Sequence, residues 1–416
     1  MRIAIVGSGI AGLTAAHHLH RRHDIVLYEA EERLGGHTHT HTIDLDDGAV
    51  SVDSGFIVYN EANYPNFSAL LSELGVATQP SRMTFSVSCA ATGLEWAGGS
   101  PSAVLAQPSN LARAGFVRML ADIVRFNRRA RRFLAEPWAG DDHTVAEFLA
   151  DGRWSQGFRD NYLLPLGSAV WSCDPSTFES FPTRALFGFM RNHDLLKVGP
   201  RQSWRTVSGG SARYVEALVA PFADRVRLGT PVRALHRDGR GVDVAADSGL
   251  ERFDHVVVAT HSDQALELLT DATPTEKEVL GAIEYRVNDA TLHTDERMLP
   301  RARRAWASWN YRRPLLPSPH VQITYHLNQL QRLTTRHQVC VSLNSDDEVE
   351  PDRVLARMRY AHPVYDAAVF AAQRRRAEVC GVDRTWYCGA YWGYGFHEDG
   401  VVSALDVCRR LEAGAA

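Results

Sequence analysis

The hydrophobic pattern is clearest at the start of the chain, where two short apolar runs flank a segment with helical periodicity. Residues 3–6 and 25–28 are each long enough for one buried strand. Between them, Leu13, Ala16 and Leu19 recur at the spacing of one helix face. The pattern therefore predicts a strand–helix–strand unit, the building block of α/β folds with a parallel sheet.

The loop between the first strand and the helix is rich in glycine, and an acid follows the second strand. The loop reads Gly7-Ser8-Gly9-Ile10-Ala11-Gly12. Its first glycine permits the tight turn, its second lets the backbone approach a pyrophosphate, and its third allows close helix packing. Glu29, 22 residues after Gly7, is placed to accept hydrogen bonds from a ribose. We therefore predict a dinucleotide site at the start of this helix.

The next residues, Arg33-Leu-Gly35-Gly36-His37, favour FAD over NAD. They resemble the second fingerprint of the flavoprotein group that contains amine oxidases, phytoene desaturases and protoporphyrinogen oxidases. The resemblance implies that Arg33 is a cation beside the FAD diphosphate and that Gly35 and Gly36 approach it closely. His37 stands where many members have arginine.

Three later segments carry the same resemblance. The DSGF segment, with Gly55 and Phe56, is similar to a stretch that runs under the flavin ring. Val232 corresponds to a residue whose backbone contacts adenine, and Ala259 and Thr260 end a strand near the diphosphate. The last segment resembles the C-terminal flavin motif, which implies cofactor contacts for Gly389, Glu398, Asp399, Gly400 and Val401. The cofactor expected is non-covalent FAD.

We therefore expect an α/β fold with a Rossmann-type, glutathione-reductase-like FAD-binding domain and a mixed α+β substrate domain. The return to cofactor motifs late in the chain makes the first domain discontinuous. Its expected segments are 1–59, 205–285 and 380–416. The substrate domain is expected to comprise 60–204 and 286–379.

Composition narrows the class of protein without naming its substrate. The chain has 416 residues, 45% of them hydrophobic, and a net charge of −4, which gives no reason to expect nucleic-acid binding. Its six cysteines form no CxxC pair, which favours a reducing, cytoplasmic setting. We see no signal peptide and no apolar run of the roughly 18 to 20 residues that span a bilayer.

Three histidines alternate with threonines in His37-Thr-His39-Thr-His41. On a strand they would share one face, and three imidazoles are possible metal ligands. Alternate positions on a strand lie about 6 to 7 Å apart, so the outer two are too distant to share one ion. We therefore predict no metal site and place these histidines beside the flavin phosphates or in the site wall.

Two stretches of the substrate domain suggest how it meets its ligands. Residues 109–135 predict an amphipathic helix with Phe116, Val117 and Val124 on its apolar stripe and arginines elsewhere. Such a helix packs on its own domain or makes a peripheral contact with a membrane surface. Residues 145–204 are rich in aromatic side chains, which form a core or wall an apolar tunnel.

As a whole, the chain is similar to bacterial FAD-dependent, amine-oxidase-like oxidoreductases associated with fatty acyl modification. The segments RLGGHTHT, DSGFIVYNEANYPN, LPLGSAVWS and CGAYWGYGFHEDG carry this resemblance, which implies an apolar, lipid-like substrate. Many amine oxidases have a lysine near the flavin, and neither of the two lysines here, Lys197 and Lys277, matches it. There is no second glycine-rich unit for NAD(P)H, so oxygen or another acceptor would reoxidise the flavin.

Our leading hypothesis is a desaturase or dehydrogenase that removes hydride from an acyl-type substrate. The candidate catalytic residues are His397, Tyr391, Trp392 and Tyr394, and Phe56, Tyr59 and Trp171 are candidates for the site wall. The first alternative is an amine oxidase. Further alternatives are a redox-neutral double-bond isomerase and a non-enzymatic flavin-binding partner of a lipid-modifying complex.

Overall fold

The structure is a computed structural model that describes residues 1–137, 143–197, 199, 202–316, 318 and 320–414. Its strands are β1 (Arg2–Val6), β2 (Asp24–Tyr28), β3 (Thr40–Leu45), β4 (Gly48–Asp53), β5 (Thr78–Ser81), β6 (Phe85–Cys89), β7 (Leu94–Ala97), β8 (Trp204–Val207), β9 (Val226–Arg227), β10 (Val232–Arg237), β11 (Val242–Ala246), β12 (Gly249–Phe253), β13 (His255–Val258), β14 (Tyr285–His293), β15 (Trp309–Arg313), β16 (Ile323–His326), β17 (Cys340–Leu343), β18 (Val354–Pro363) and β19 (Thr385–Tyr387). Its α-helices are α1 (Ile10–Leu19), α2 (Pro65–Glu73), α3 (Pro101–Val104), α4 (Ala114–Ala135), α5 (Val145–Asp151), α6 (Gln156–Phe158), α7 (Leu164–Trp171), α8 (Pro175–Glu179), α9 (Thr183–Asn192), α10 (Ala212–Val219), α11 (Ser262–Leu268), α12 (Pro274–Gly281), α13 (Leu327–Leu330), α14 (Ala367–Arg374) and α15 (His397–Ala413).

A five-stranded parallel sheet carries the glycine-rich loop. Its order is β19-β13-β1-β2-β9, so strands from the two ends and the middle of the chain pair side by side. Strands β1 and β2 are buried on both faces after their first residues, Arg2 and Asp24, as expected of a covered parallel sheet. Helix α1 packs against α10 and α15, and the antiparallel β10-β11-β12 ribbon contributes Val242, Val244 and Phe253 to the same core.

A second, seven-stranded mixed sheet lies in the part of the chain expected to bind substrate. Its order is β18-β14-β17-β16-β15-β6-β7, antiparallel except where β15 runs parallel to β6. This sheet and the helices α4 to α9 enclose the second large hydrophobic core. The parallel sheet and the mixed sheet confirm the predicted α/β class.

The expected domain boundaries stay a proposal, which the strand positions support. Every strand of the parallel sheet falls within the segments assigned to FAD, and the mixed sheet draws on 85–97 and 285–363. Helix α2 begins at Pro65, where proline suits the first helical turn.

The long helix α4 confirms an amphipathic segment, but its predicted apolar stripe is wrong in part. The buried positions are Phe116, Met119, Asp122, Phe126, Asn127 and Ala130. Val117 and Val124 point to solvent, with 48% and 41% of their surface exposed. Asp122 and Asn127 are polar, and a prediction based only on hydrophobic residues leaves them off the buried face. The predicted buried face is therefore turned toward Val117 and Val124.

Candidate active site and cofactor cleft

The loop from Gly7 to Gly12 joins β1 to α1 and leaves a helix N-terminus open. The Gly7 N–H donates to the Tyr28 carbonyl at 2.8 Å, which ties the loop to β2, and Gly7 has φ +98°. Gly9 is the N-cap, without a side-chain cap, and a Cβ placed on it would meet nothing within 4 Å. A Cβ on Gly12 would lie 1.9 Å from the Gly7 carbonyl oxygen. The loop thus offers free N–H groups and space where a pyrophosphate is predicted.

Glu29 and the Arg33–Gly36 segment hold this loop from the other side. The Glu29 carboxylate accepts from the Ser8 N–H and the Glu31 N–H, both at 2.9 Å. The Gly35 N–H donates to the Ser8 carbonyl at 3.1 Å, so the second fingerprint lies over the first. The Arg33 guanidinium donates to the Gly36 carbonyl at 2.7 Å and pairs with Glu31. Its expected diphosphate contact stays a prediction.

The other predicted cofactor segments converge on the same place. A Cβ on Gly400 would lie 2.8 Å from Cγ2 of Ile10, so the first turn of α15 abuts the first turn of α1. The Ala259 carbonyl lies beside Gly7, and the Thr230 N–H donates to the Glu29 carbonyl just before buried Val232. The described residues of three distant segments therefore form one cleft with two helix N-termini, an arrangement that fits an anionic dinucleotide.

His37 and the Gly55–Phe56 pair continue the cleft toward the mixed sheet. The Phe56 N–H donates to the His37 carbonyl at 2.9 Å, and a Cβ on Gly55 would lie 2.0 Å from that oxygen. The His37 ring lies 5.8 Å from the ring of His261 and 5.5 Å from that of His362. Burial lowers the pKa of His37 and His261 to about 4. These imidazoles are therefore uncharged at neutral pH.

His397, the first catalytic candidate, is engaged by its own protein. Its ring stacks on Phe56 at 3.5 Å between centroids, and its Nε2 lies 2.8 Å from the Tyr214 hydroxyl and 3.2 Å from Thr38 Oγ1. Burial places the pKa of His397 well below the ordinary histidine value. The structure thus gives His397 a packing role against the residue expected under the flavin, and its role as a base stays a prediction.

The other catalytic candidates form an aromatic loop before α15. Gln373 Nε2 donates to the carbonyls of Tyr391 and Gly393, at 2.8 and 2.6 Å, which fixes the loop. Among the described residues, the Tyr391 hydroxyl and the Trp392 Nε1 are buried without a hydrogen-bond partner. Buried donors of this kind are rare and fit a bound group. Gly389 is held by the Ser403 hydroxyl, which accepts from its N–H at 2.9 Å.

Beside this loop lies a cavity of about 210 Å³ that combines aromatic rings with carboxylates. It is lined by Asn63, Tyr64, Phe189, Asn192, His193, Tyr394, Phe396, Glu398 and Asp399. The Asp399 carboxylate accepts from the backbone N–H groups of Tyr394 and Phe396, and burial raises the pKa of Asp399 to about 6. Asp399 is thus mostly ionised at neutral pH.

The Glu398 side chain binds helix α2, whereas the resemblance implied a contact with the cofactor. Its carboxylate accepts from the Asn66 N–H at 3.0 Å, the Asn66 side-chain amide at 2.6 Å and the Phe67 N–H at 2.9 Å. Asn66 and Phe67 lie in the first turn of α2, where a negative charge is favourable. Both carboxylate oxygens are therefore committed to α2, and a direct cofactor contact by Glu398 stays a prediction.

Sequence reasoning missed most of the cavity wall. Phe189, Asn192 and His193 come from the end of α9 and its C-cap, and Asn63 and Tyr64 immediately precede α2. The aromatic density of 145–204 was the available signal, but it did not indicate which rings face a cavity. Trp171 packs on Phe181 and Phe189 and donates from Nε1 to the Tyr394 carbonyl, so it supports the wall. Tyr59 is buried beside Tyr64.

Metal-ligating geometry occurs at one place within the described ranges, away from the cleft. Asp46, Asp47 and His337 bring single ligand atoms within 4.8 Å of one another, but they are exposed or half-exposed and already pair with each other and with Arg336. His37, His39 and His41 do not form such a group. In the same described part of the chain, no helix is long and apolar enough to cross a membrane.

Comparison with known proteins places the chain in a family. Residues 10–305 match the family described as flavin containing amine oxidoreductases. The chain belongs to this family. Its cofactor is FAD, and its fold is that of the amine oxidases. The converging loops, the open helix N-termini and the unpartnered Trp392 and Tyr391 donors agree with that cofactor.

Curated relatives and solved structures of the family differ in their named activities. The chain is 29% identical over 269 residues to a Mycobacterium tuberculosis protein provisionally named flavin-containing monoamine oxidase AofH, covering 62% of this chain and 56% of that one. It is 29% identical to the carotenoid phi-ring synthase of Streptomyces griseus, over 70% and 57% of the two chains. This family member thus spans little more than half the length of these relatives.

At the level of fold, two solved structures match nearly end to end. A putrescine oxidase variant superposes with a TM-score of 0.72 at 15% identity, over 100% of this chain and 99% of that chain. A fatty acid isomerase of P. acnes superposes with a TM-score of 0.69 at 16% identity, over 98% of both. Both likenesses concern the fold alone.

Proposed function

We propose that this FAD-dependent oxidoreductase oxidises the carbon–nitrogen bond of a small amine. The observation that carries the proposal is the cavity at the start of α15, where the Asp399 and Glu398 carboxylates lie among the rings of Tyr64, Phe189 and Tyr394. A protonated amine is attracted both by carboxylates and by the faces of aromatic rings. The monoamine oxidase name of a curated relative supports the same choice.

The chain's own residues would bind and orient such a substrate. FAD, when bound, supplies the acceptor for a hydride from the carbon next to nitrogen. Asp399 would hold the ammonium group on arrival, in place of the cofactor contact that the resemblance implied for it. Phe189 and Tyr394 would exclude water from the carbon chain.

The main argument against an amine substrate is that this chain lacks the lysine found near the flavin in many amine oxidases. Lys197 is exposed and pairs with Asp194 at 2.7 Å, and Lys277 lies in exposed surface of α12. Neither reaches the cleft. Oxidation here would therefore proceed without a lysine-bound water, and we expect slower flavin reoxidation by oxygen than in lysine-containing relatives.

Dehydrogenation of an acyl chain, the hypothesis that the sequence favoured, stays a second candidate. The ring-rich core around α7 to α9 supports it, as does the absence of a lysine in the cleft. The described apolar cavity beside Leu163 and Met190 measures only about 10 Å³, too small for an acyl chain without rearrangement. No feature of the cavity separately supports the isomerase alternative or the non-enzymatic alternative.

Anaerobic mixing of the FAD-loaded protein with amines and with acyl lipids tests the choice. We expect small primary amines to bleach the oxidised flavin absorbance and acyl lipids to leave it unchanged. Bleaching by acyl lipids alone would overturn the amine proposal in favour of the second candidate. Bleaching by neither, together with stable co-purification of another enzyme, would favour a non-enzymatic role.

The charge of Asp399 gives a sharper, pH-dependent prediction. We expect Asp399→Asn to lower kcat/KM for a cationic amine at least about tenfold at neutral pH, because a partly buried charge pair amounts to a few kcal/mol. Asp399 becomes protonated as pH falls through about 6, so the ratio of the wild-type kcat/KM to that of the variant should shrink below that pH. Asp224→Asn, at an exposed carboxylate, is the control. An unchanged kcat/KM, or an advantage independent of pH, contradicts the assignment.

A further inference from the structure

The solvent face of α4 carries apolar and basic side chains together. Val117, Ala121, Val124, Arg128 and Arg131 follow one another at i, i+4, i+7, i+11 and i+14, so they project from one side of the helix. The buried stripe of α4 lies opposite them. We call these five residues, with Arg132, the α4 face. Its first half is apolar and its second half cationic, an arrangement that packing on the protein's own core does not explain.

The charge of this helix is one-sided. Together with its N-cap, α4 has seven arginines and a single acid, Asp122. Asp122 is buried and pairs with Arg118 at 3.5 Å and Arg125 at 3.1 Å. Across the part of the chain that the structure describes, no carboxylate lies within ion-pair distance of Arg113, Arg128, Arg131 or Arg132. These four exposed cations are available to an anionic partner.

Exposed leucines occur on a neighbouring part of the substrate domain. Leu315 and Leu316 are 71% and 77% exposed, and their loop is anchored by Arg313, which pairs with Asp160 at 2.7 Å. Asp160 follows Gly157, which packs against the backbone of Gly115 in the first turn of α4. Aliphatic side chains so exposed gain free energy when they leave water.

We propose that the α4 face docks on an anionic lipid surface. The arginines would meet the lipid phosphates while the valines enter the headgroup boundary, as in interfacial amphipathic helices. Nucleic acid offers the same phosphates but no apolar layer for Val117 and Val124, and the net charge of −4 disfavours it. The contact is peripheral, since no described helix could span a bilayer.

The position of α4 gives this docking a consequence for the cavity. Phe126 on the buried side of α4 packs edge-on against Phe187 of α9, at 5.4 Å between centroids. Two residues further along α9, Phe189 borders the cavity. Docking would therefore place helices α4 and α9 between the lipid surface and the cavity. This inference does not depend on the substrate being an amine.

Vesicle flotation of the FAD-loaded protein tests the proposal. Phosphatidylcholine vesicles with and without phosphatidylglycerol are compared at low and high salt. We expect partitioning onto the anionic vesicles only, lost at high salt, where charges are screened. Arg128→Gln/Arg131→Gln/Arg132→Gln should lower the partition coefficient roughly a hundredfold, because each arginine near an anionic surface contributes about a factor of five.

Matched variants distinguish binding through the α4 face from a general effect of positive charge or of exposed hydrophobic side chains. Arg21→Gln/Arg303→Gln/Arg409→Gln removes the same charge from exposed sites elsewhere and should bind as the wild type does. Val117→Ser/Val124→Ser should weaken binding several-fold, and Leu250→Ser, at a 70% exposed leucine, should not. The proposal is overturned if anionic vesicles do not bind the protein at low salt, if neutral vesicles bind equally, or if the control triple variant loses as much.

Discussion

At the scale of single residues, the glycines of the loop before α1 have separable tasks. A Cβ on Gly12 would collide with the Gly7 carbonyl, so this residue is needed for the fold of the loop. A Cβ on Gly9 would meet no protein atom within 4 Å. Gly9 therefore matters for what occupies that space, and the fold alone does not require it.

Gly9→Ala should accordingly yield a folded protein that binds FAD poorly. The added methyl group would project into the space expected for the pyrophosphate, and we expect the dissociation constant of FAD to rise at least about tenfold, a loss of about 1.4 kcal/mol. Fluorescence titration of the apoprotein with FAD measures it, and circular dichroism checks the fold.

Gly115→Ala is the matched control, because its Cβ also meets nothing within 4 Å but lies on α4, away from the cleft. It should leave FAD affinity unchanged and stabilise the helix slightly. If Gly9→Ala binds FAD as the wild type does, the pyrophosphate does not lie against this loop.

At the scale of elements, the sequence predicted those whose signal is local. The strand–helix–strand unit follows from spacing within a few residues, and it is found where expected, as β1, α1 and β2. The rotation of α4 was not predictable, because Asp122 is buried through a partner distant in sequence: its carboxylate accepts from the Ser155 N–H at 2.9 Å. For the same reason, nothing local indicated that Asn192 and His193 would border the cavity.

The link between α15 and α2 is a second long-range feature, and it makes a prediction. Glu398→Gln should destabilise the protein by about 1–2 kcal/mol, since a neutral amide replaces a carboxylate that accepts three hydrogen bonds at a helix N-terminus. FAD stoichiometry after purification should stay at one per chain.

Urea unfolding and flavin absorbance together check this prediction. Glu267→Gln, on the exposed side of α11, should leave both quantities unchanged. Loss of FAD from Glu398→Gln without loss of stability would instead restore the sequence-based expectation that Glu398 contacts the cofactor.

At the scale of the whole molecule, one buried carboxylate connects segments that pack beside the two large sheets. Asp53, at the end of β4, accepts from the Ser211 N–H before α10 and from Nε2 of Gln331 at 2.8 Å. Gln331 directly follows α13, beside the mixed sheet, and its side-chain oxygen accepts from the Asp53 N–H at 2.8 Å. Asp53 thus joins the region that holds FAD to the region expected to hold substrate.

This connection should leave a signature in the pH dependence of stability. Burial raises the pKa of Asp53 to about 6, against an ordinary value of 3.8. Between these two pKa values the folded protein binds more protons at this site than the unfolded chain, so this group lowers the free energy of unfolding as pH rises. Asp53→Asn removes the effect, and the variant should therefore gain about 2–3 kcal/mol relative to wild type between about pH 4 and 6.

Urea unfolding of both proteins across this pH range measures the difference between their free energies of unfolding. The contributions of all other titrating groups cancel in this difference. Asp224→Asn should run parallel to wild type, because its carboxylate is exposed. Parallel curves for Asp53→Asn would mean that the four donors around the carboxylate, namely the Thr40 hydroxyl, the Ser211 N–H and hydroxyl, and the Gln331 amide, offset its burial fully. The pKa of Asp53 would then be ordinary, and the connection between the sheets would be stable at any pH in the range.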